Sequence, residues 1–147
     1  MTEFLREHGV DLVHFVKEEM LRHIERCEVD RLFEILCKKK KNNVLLLGDP
    51  GVGKTALIEY LATRIYEDKT PNNFRWSGIY KLDVNKMVAG TQYRGQLEEK
   101  VQKLVQDLIN NRHMILFLDD VHNAFGNNSS VSLMSILKPY ILDGKIA

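Results

Sequence analysis

The sequence has little of several features that would mark a special class of protein. With two cysteines, three prolines and nine glycines in 147 residues, it is neither a disulfide scaffold, nor a collagen, nor a low-complexity chain. Its longest apolar run is Met114–Leu118, far short of the roughly 20 residues that a membrane helix needs. Basic and acidic residues number 21 and 20, a balance that argues against wholesale binding to nucleic acid or to a membrane surface.

The N-terminus and the cysteines indicate a reducing compartment. Glu3, Arg6 and Glu7 interrupt any signal-peptide core, so we expect a cytoplasmic protein. Cys27 and Cys37 lack the spacing of a zinc site. On a helix they would lie about 15 Å apart, too far for a disulfide. We therefore predict two free thiols.

What is present is an alternation of helix and strand patterns. Apolar residues at helical spacing predict helices over 28–37, Lys54–Tyr66, 97–108 and from residue 133 onward, where Pro139 bends or ends the helix. Short apolar runs predict strands over 44–47, 79–83 and Met114–Leu118. This alternation is typical of an α/β fold with a mainly parallel sheet. We divide the chain into a lead-in segment, 1–27, and a core, 28–147.

The run of lysines at 38–41 has two interpretations. Cations after a helix complement the helix dipole, and the run is then a solvated C-terminus. The alternative is a patch that contacts phosphate. The sequence alone leaves both open.

Residues 48–55 read GDPGVGKT and match the phosphate-binding loop GxxxxGK[ST], between a predicted strand and a predicted helix. The glycines allow backbone N–H groups to converge on an anion, and the helix directs its positive end at the same point. The lysine would bridge phosphate oxygens and the threonine hydroxyl would ligate Mg²⁺. The expected contacts are Gly48, Asp49, Pro50, Gly51, Val52, Gly53, Lys54, Thr55 and Ala56.

Two acidic residues follow the apolar strand Met114–Leu118. A parallel strand would deliver Asp119 beside the phosphates, where it holds Mg²⁺ directly or through water. Asp120 would then face the water that attacks the terminal phosphorus, with Lys54 as its catalytic partner on the phosphate. The alternative is that acids after a strand are simply solvated.

With these motifs in place, the chain resembles the first ATPase module of the Clp-type AAA+ unfoldases. The similarity extends over nearly the whole sequence. Residues 89–99, AGTQYRGQLEE, resemble the family's pore-loop segment and are its most specific match. Residues 8–12 and 26–43 resemble the opening segment and the lead-in helix, and 61–65 and 136–139 resemble later helices.

The resemblance implies a P-loop NTPase with three layers, α/β/α, whose binding and hydrolysis of ATP with Mg²⁺ drive protein unfolding or remodelling. It also implies a hexameric ring, an unfolded or tagged polypeptide substrate and a possible protease partner, with neither nucleic acid nor membrane. Tyr93 would line the pore and grip the substrate polypeptide. The alternative for Tyr93 is packing against its own subunit.

The chain departs from the family pattern at three places. Asp120 stands where the family has glutamate, and its shorter side chain predicts slow hydrolysis unless a water molecule bridges the gap. Glu25 replaces a glycine in the segment where Ile24 would contact the adenine. The sequence stops before the sensor strand, the arginine finger and the lid, so we expect a fragment or a truncated product that binds nucleotide weakly.

Three other functions compete with an unfoldase. Asp120 and the missing segments favour a nucleotide-binding assembly module with weak or no hydrolysis. A DNA-acting AAA+ factor fits poorly with the neutral charge and the Tyr93 segment. A small GTPase would need an NKxD-like segment to read the base, and the sequence has none.

Overall fold

Helices and short strands alternate along the chain in a computed structural model, which describes residues 1–19, 26–91, 93–110, 113–119, 133–144 and 146–147. Both cysteines are free, as predicted, and burial raises the pKa of the Cys37 thiol. None of the helices within these ranges is long and apolar enough to cross a membrane. In order, the elements are α1 (Glu3–His8), β1 (Gly9–Asp11), α2 (Leu12–Glu19), α3 (Glu28–Leu36), α4 (Lys54–Tyr66), β2 (Gly78–Leu82), α5 (Val84–Val88), α6 (Arg94–Asn110), β3 (Met114–Leu118) and α7 (Leu133–Leu142).

The strands of the described residues form one sheet in the order β1-β2-β3. β2 and β3 run parallel, with Gly78 opposite Met114 and Leu82 opposite Leu118, so the two predicted strands are confirmed to within one residue. β1 pairs antiparallel with β2 and was not predicted, because three residues are too few to show a period.

Alternation along the strands gives the sheet two apolar faces. Tyr80 and Leu82 belong to a core cluster shared with α1, α5, α6 and α7. Ile79 and Ile115 belong to a second cluster, shared with α2, α3 and α4. The sheet is therefore the middle of three layers, as predicted, and the end of α4 that carries the phosphate-loop motif lies on the second face.

The predicted helices are confirmed, with one correction at the last of them. α4 has the predicted bounds, and α3 buries the apolar face that indicated a helix. Pro139 lies inside α7, which continues to Leu142, so the proline does not end the helix. Proline removes one backbone donor, and packing of Leu133 and Leu137 in the first cluster offsets that loss.

The predicted strand over 44–47 is wrong. These residues form no strand, and Leu45 and Leu47 are 68% and 85% exposed. A strand needs a hydrogen-bonded neighbour, and the described ladder contains only β1, β2 and β3. The amide of Leu116, on β3, donates instead to the Ala147 carbonyl at 2.7 Å. Val44 and Leu46 still pack against the second cluster and fix the approach to the loop.

The first nineteen residues contribute to both apolar faces. Leu5 lies in the first cluster, and Leu12 and Val16 lie in the second. The division at residue 27 remains a prediction.

Candidate functional site

The loop over 48–53 joins residues 44–47 to α4. Gly51 and Gly53 have φ angles of 84° and 91°, which are left-handed values that side chains disfavour. Gly53 caps α4 and has no side chain to accept the first backbone N–H groups of the helix. Those donors therefore point out of the helix end, the arrangement that binds an anion.

Lys54 places its ammonium group inside the turn of this loop. Its Nζ donates to the carbonyl oxygens of Gly48 at 2.7 Å and of Asp49 at 3.0 Å. Both carbonyls and the lysine are at the surface, where a phosphate can approach. A bound phosphate would offer charged acceptors, and charge-assisted bonds are stronger than these bonds to neutral carbonyls.

The two expected Mg²⁺ ligands lie together. Thr55, in the first turn of α4, donates its hydroxyl to Asp119 Oδ2 at 3.5 Å. Asp119 directly follows β3, and both side chains are partly buried on the second face of the sheet. A hydroxyl beside a carboxylate is an oxygen donor set that fits Mg²⁺, which the two residues would hold together with nucleotide phosphates.

Lys81 is a site residue that sequence reasoning missed. Its Nζ lies 2.8 Å from Asp119 Oδ2, the same oxygen that accepts from Thr55. The two paired side chains are each 34% exposed. The available signal was a charged residue within the apolar strand Gly78–Leu82, since such a strand rarely carries a charge without a partner.

Arg26 is a second residue that was missed. A methyl group added at Gly53 would come within 2.8 Å of Arg26 Nη2, so the guanidinium lies against the phosphate loop. It adds positive charge beside the end of α4. The sequence pointed to this segment through Ile24, which lies outside the described residues.

The other predicted site residues lie away from the phosphate loop or outside the residues that the structure describes. Tyr93 immediately precedes α6 and is 72% exposed, with its backbone N–H donating to Gln96 Oε1 at 3.3 Å. Its ring is therefore on the surface and is not one of the core aromatics. Asp120 lies outside the described residues. The structure thus brings together Lys54, Thr55 and Asp119 and adds Lys81 and Arg26.

One protein family matches most of the core. Residues 44–144 match the family model described as ATPase family associated with various cellular activities (AAA). This range contains the loop, α4, all of β2 and β3, and the Asp119 site. The predicted P-loop fold is therefore confirmed.

Two of the relatives of this chain are Clp proteins. The chain is 37% identical to a probable ATP-dependent Clp protease ATP-binding subunit of Chlamydia pneumoniae, covering 97% of this chain and 17% of that protein. It is 36% identical to the chaperone protein ClpB of Wolinella succinogenes, covering 98% of this chain and 17% of that protein. The chain thus spans about a sixth of the length of these relatives. The resemblance to Clp-type proteins is confirmed.

Two solved structures of similar fold are complexes of S. cerevisiae Hsp104. The complex of S. cerevisiae Hsp104 with ADP superposes with a TM-score of 0.80 at 28% identity, over 96% of this chain and 25% of that chain. The extended complex of S. cerevisiae Hsp104 with casein gives 0.82 at 28% identity, over 97% and 25%.

Proposed function

The chain belongs to the ATPase family associated with various cellular activities (AAA), and from this premise we propose that it binds ATP with Mg²⁺ and hydrolyses it. The observation that carries the proposal is the convergence of Lys54, Thr55 and Asp119 at one end of α4. This places a cation for the phosphates and two oxygen ligands for a metal beside a helix N-terminus.

Each group has a distinct task. The loop N–H groups and the positive end of α4 hold the phosphates, which then replace the carbonyls of Gly48 and Asp49 as partners of Lys54. Thr55 and Asp119 would hold Mg²⁺, which would supply charge stabilisation to the phosphates. Arg26 lies close enough to the loop to add a further positive charge.

Asp120 is the group that orients the attacking water in this proposal. Its side chain is shorter than glutamate by one bond, about 1.5 Å, and misplacement near 1 Å costs about a hundredfold. We therefore expect slow hydrolysis. A nucleotide-binding assembly module with little turnover is the second candidate function, and the identity of Asp120 is what favours it.

The cellular role that we propose is the unfolding or remodelling of proteins. Its support is that the relatives are named as chaperones or as subunits of a Clp protease, and that Hsp104 was solved with casein. Tyr93 then contacts the substrate polypeptide in the pore of a hexameric ring, for which its 72% exposure leaves it available. A protease partner and a cytoplasmic location belong to the same proposal.

The direct test is nucleotide binding by the 147-residue chain, followed by the anisotropy of a fluorescent ADP analogue in MgCl₂. Lys54→Met should weaken binding roughly ten- to hundredfold, because a hydrogen bond between charged groups contributes about 1.5–3 kcal/mol. Displacement of the analogue by unlabelled ATP but not by GTP would support adenine as the preferred base.

The matched control is Lys69→Met, which removes an equally flexible cation that pairs with Glu67 at the far end of α4. Its affinity should equal that of the wild type. Equal affinities of the wild type and of a folded Lys54→Met would contradict the proposal, as would a failure of the wild type to bind.

A further inference from the structure

Lys81 stands at the Asp119 carboxylate because of the strand register. Lys81 is directly opposite Phe117, and its Nζ lies 5.6 Å from the centre of that ring. Asp119 is two residues further along and therefore on the same face of the sheet. The ammonium reaches diagonally past Phe117 to Asp119 Oδ2 at 2.8 Å.

This ion pair affects the site more than the stability of the fold. Both side chains are one-third exposed, and pairs of that kind contribute little to folding because water screens them. The same carboxylate, however, lies beside the loop where phosphates would bind. A phosphate near an uncompensated carboxylate is repelled, and a cation between the two removes that penalty.

Lys81 and Lys54 have separate acceptors. Lys54 donates to the loop carbonyls of Gly48 and Asp49, whereas Lys81 donates to the carboxylate. The position of Lys81 is thus the one that a metal ligated by Thr55 and Asp119 would use. Mg²⁺ requires oxygen ligands at about 2.0–2.1 Å in near-octahedral geometry, so a directly bound Mg²⁺ would compete with the ammonium of Lys81 for Asp119 Oδ2.

We propose that Lys81 is a tethered counter-ion of Asp119 that competes with Mg²⁺ for this carboxylate and lowers the Mg²⁺ dependence of nucleotide binding. The inference rests on the proposed nucleotide-binding function. Without Mg²⁺, Lys81 keeps Asp119 neutralised and the phosphates bind. Mg²⁺ bound to Asp119 would compete with Lys81, so nucleotide and metal would strengthen each other less than they would without the lysine.

The test compares dissociation constants for a fluorescent ADP analogue in excess EDTA and in saturating MgCl₂. Lys81→Met removes the charge and keeps the apolar stem, and Lys81→Arg keeps the charge. The dissociation constant in EDTA divided by that in MgCl₂ should rise about tenfold in Lys81→Met, because one partly screened charge acts on a nearby charge with an energy of that scale. Lys81→Arg should restore the wild-type ratio.

A matched control is Lys86→Met, on α5. This lysine also faces an aspartate, Asp83, at 4.0 Å, and it is 62% exposed. Its ratio should not differ from that of the wild type. Each protein is also titrated with Mn²⁺ in the presence of the nucleotide, and binding is followed by the loss of the electron paramagnetic resonance signal of free Mn²⁺. Lys81→Met should bind the metal more tightly.

The outcomes separate this inference from the proposed function. Binding that is absent in MgCl₂ would overturn both. Normal binding in MgCl₂ with an unchanged ratio in Lys81→Met would overturn the role of Lys81 alone. Should Lys81→Met fail to fold, the double variant Lys81→Met/Asp119→Asn removes the charge of the lysine and that of the carboxylate together. Its affinity in EDTA should equal that of the wild type, and weaker binding there would reject the counter-ion.

Discussion

Removal of the Tyr80 hydroxyl tests how β2, the strand that carries Lys81, is held in the core. Tyr80 is fully buried, and its hydroxyl donates to the Leu5 carbonyl at 2.8 Å. This bond ties the centre of the sheet to α1, across the first apolar cluster. Tyr80→Phe deletes the donor and keeps the ring.

The size of the effect follows from the second partner of that carbonyl. Leu5 O also accepts from the backbone N–H of Gly9, so the substitution does not leave a buried acceptor without a bond. The cost is therefore that of one ordinary hydrogen bond, about 1 kcal/mol, rather than the larger penalty of an orphaned group. For a chain of this length, that lowers the melting temperature by about 2–4 °C.

The effect of pH has the opposite sign. Burial, and then the charges of Asp107 and Asp83, raise the pKa of the Tyr80 hydroxyl above its ordinary value of 10.0. Above that value the unfolded chain releases the proton and the folded chain keeps it, so stability falls as pH rises. The contribution is fully present below about pH 10 and is lost as pH rises toward the folded pKa. Tyr80→Phe lacks this loss.

The assay is urea unfolding of both proteins from about pH 8 to pH 11, followed by circular dichroism. The wild type should be more stable by about 1 kcal/mol at the lower pH. The two curves should cross at about pH 10.6, where proton release by the unfolded tyrosine equals that advantage. The control is Tyr66→Phe, at a half-exposed position on α4. It should change neither the stability at the lower pH nor the fall in stability at the higher pH. Parallel curves that never converge would refute the reasoning.

Two further predictions concern ATP hydrolysis and the unfolding of substrate proteins. Within a full-length Clp-type chain that carries these residues, Tyr93→Ala should reduce the rate of substrate unfolding at least severalfold. It should leave nucleotide affinity unchanged, because the exposed ring lies outside the phosphate loop. Equal unfolding rates would reject the pore role. In the same chain, Asp120→Glu should raise the steady-state ATPase rate by up to about a hundredfold, since the longer side chain reaches the attacking water; a loss of turnover would show that the site is built around aspartate.

Local patterns predicted the elements that carry the motif. The bounds of α4 and β3 follow from apolar spacing and from the glycines that precede Lys54, all within a dozen residues. These signals need no partner elsewhere in the chain. The motif made Thr55 and Asp119 ligands of one ion, and their side chains lie 3.5 Å apart; the ligand roles stay a prediction.

Features that depend on distant partners were not predictable in this way. The run over 44–47 is as apolar as β3, yet it has no ladder in the described sheet, because strand formation requires a neighbour as well as a sequence. β1 shows the converse, since three residues with no period become a strand by pairing with β2. Arg26 likewise reaches Gly53 from a distant part of the chain, just before α3, and α3 packs against α4.

Register decides the charge of the site. Lys81 reaches Asp119 because Lys81 is opposite Phe117. The ammonium and the carboxylate then lie on the same face of the sheet. A shift of β2 by one residue would turn Lys81 into the first apolar cluster and place Leu82 beside the carboxylate. Tyr80, one position earlier, opposes that shift because its hydroxyl bond to Leu5 exists in a single register. The core of the sheet thereby sets how many positive charges face the phosphates, which a motif of adjacent residues does not specify.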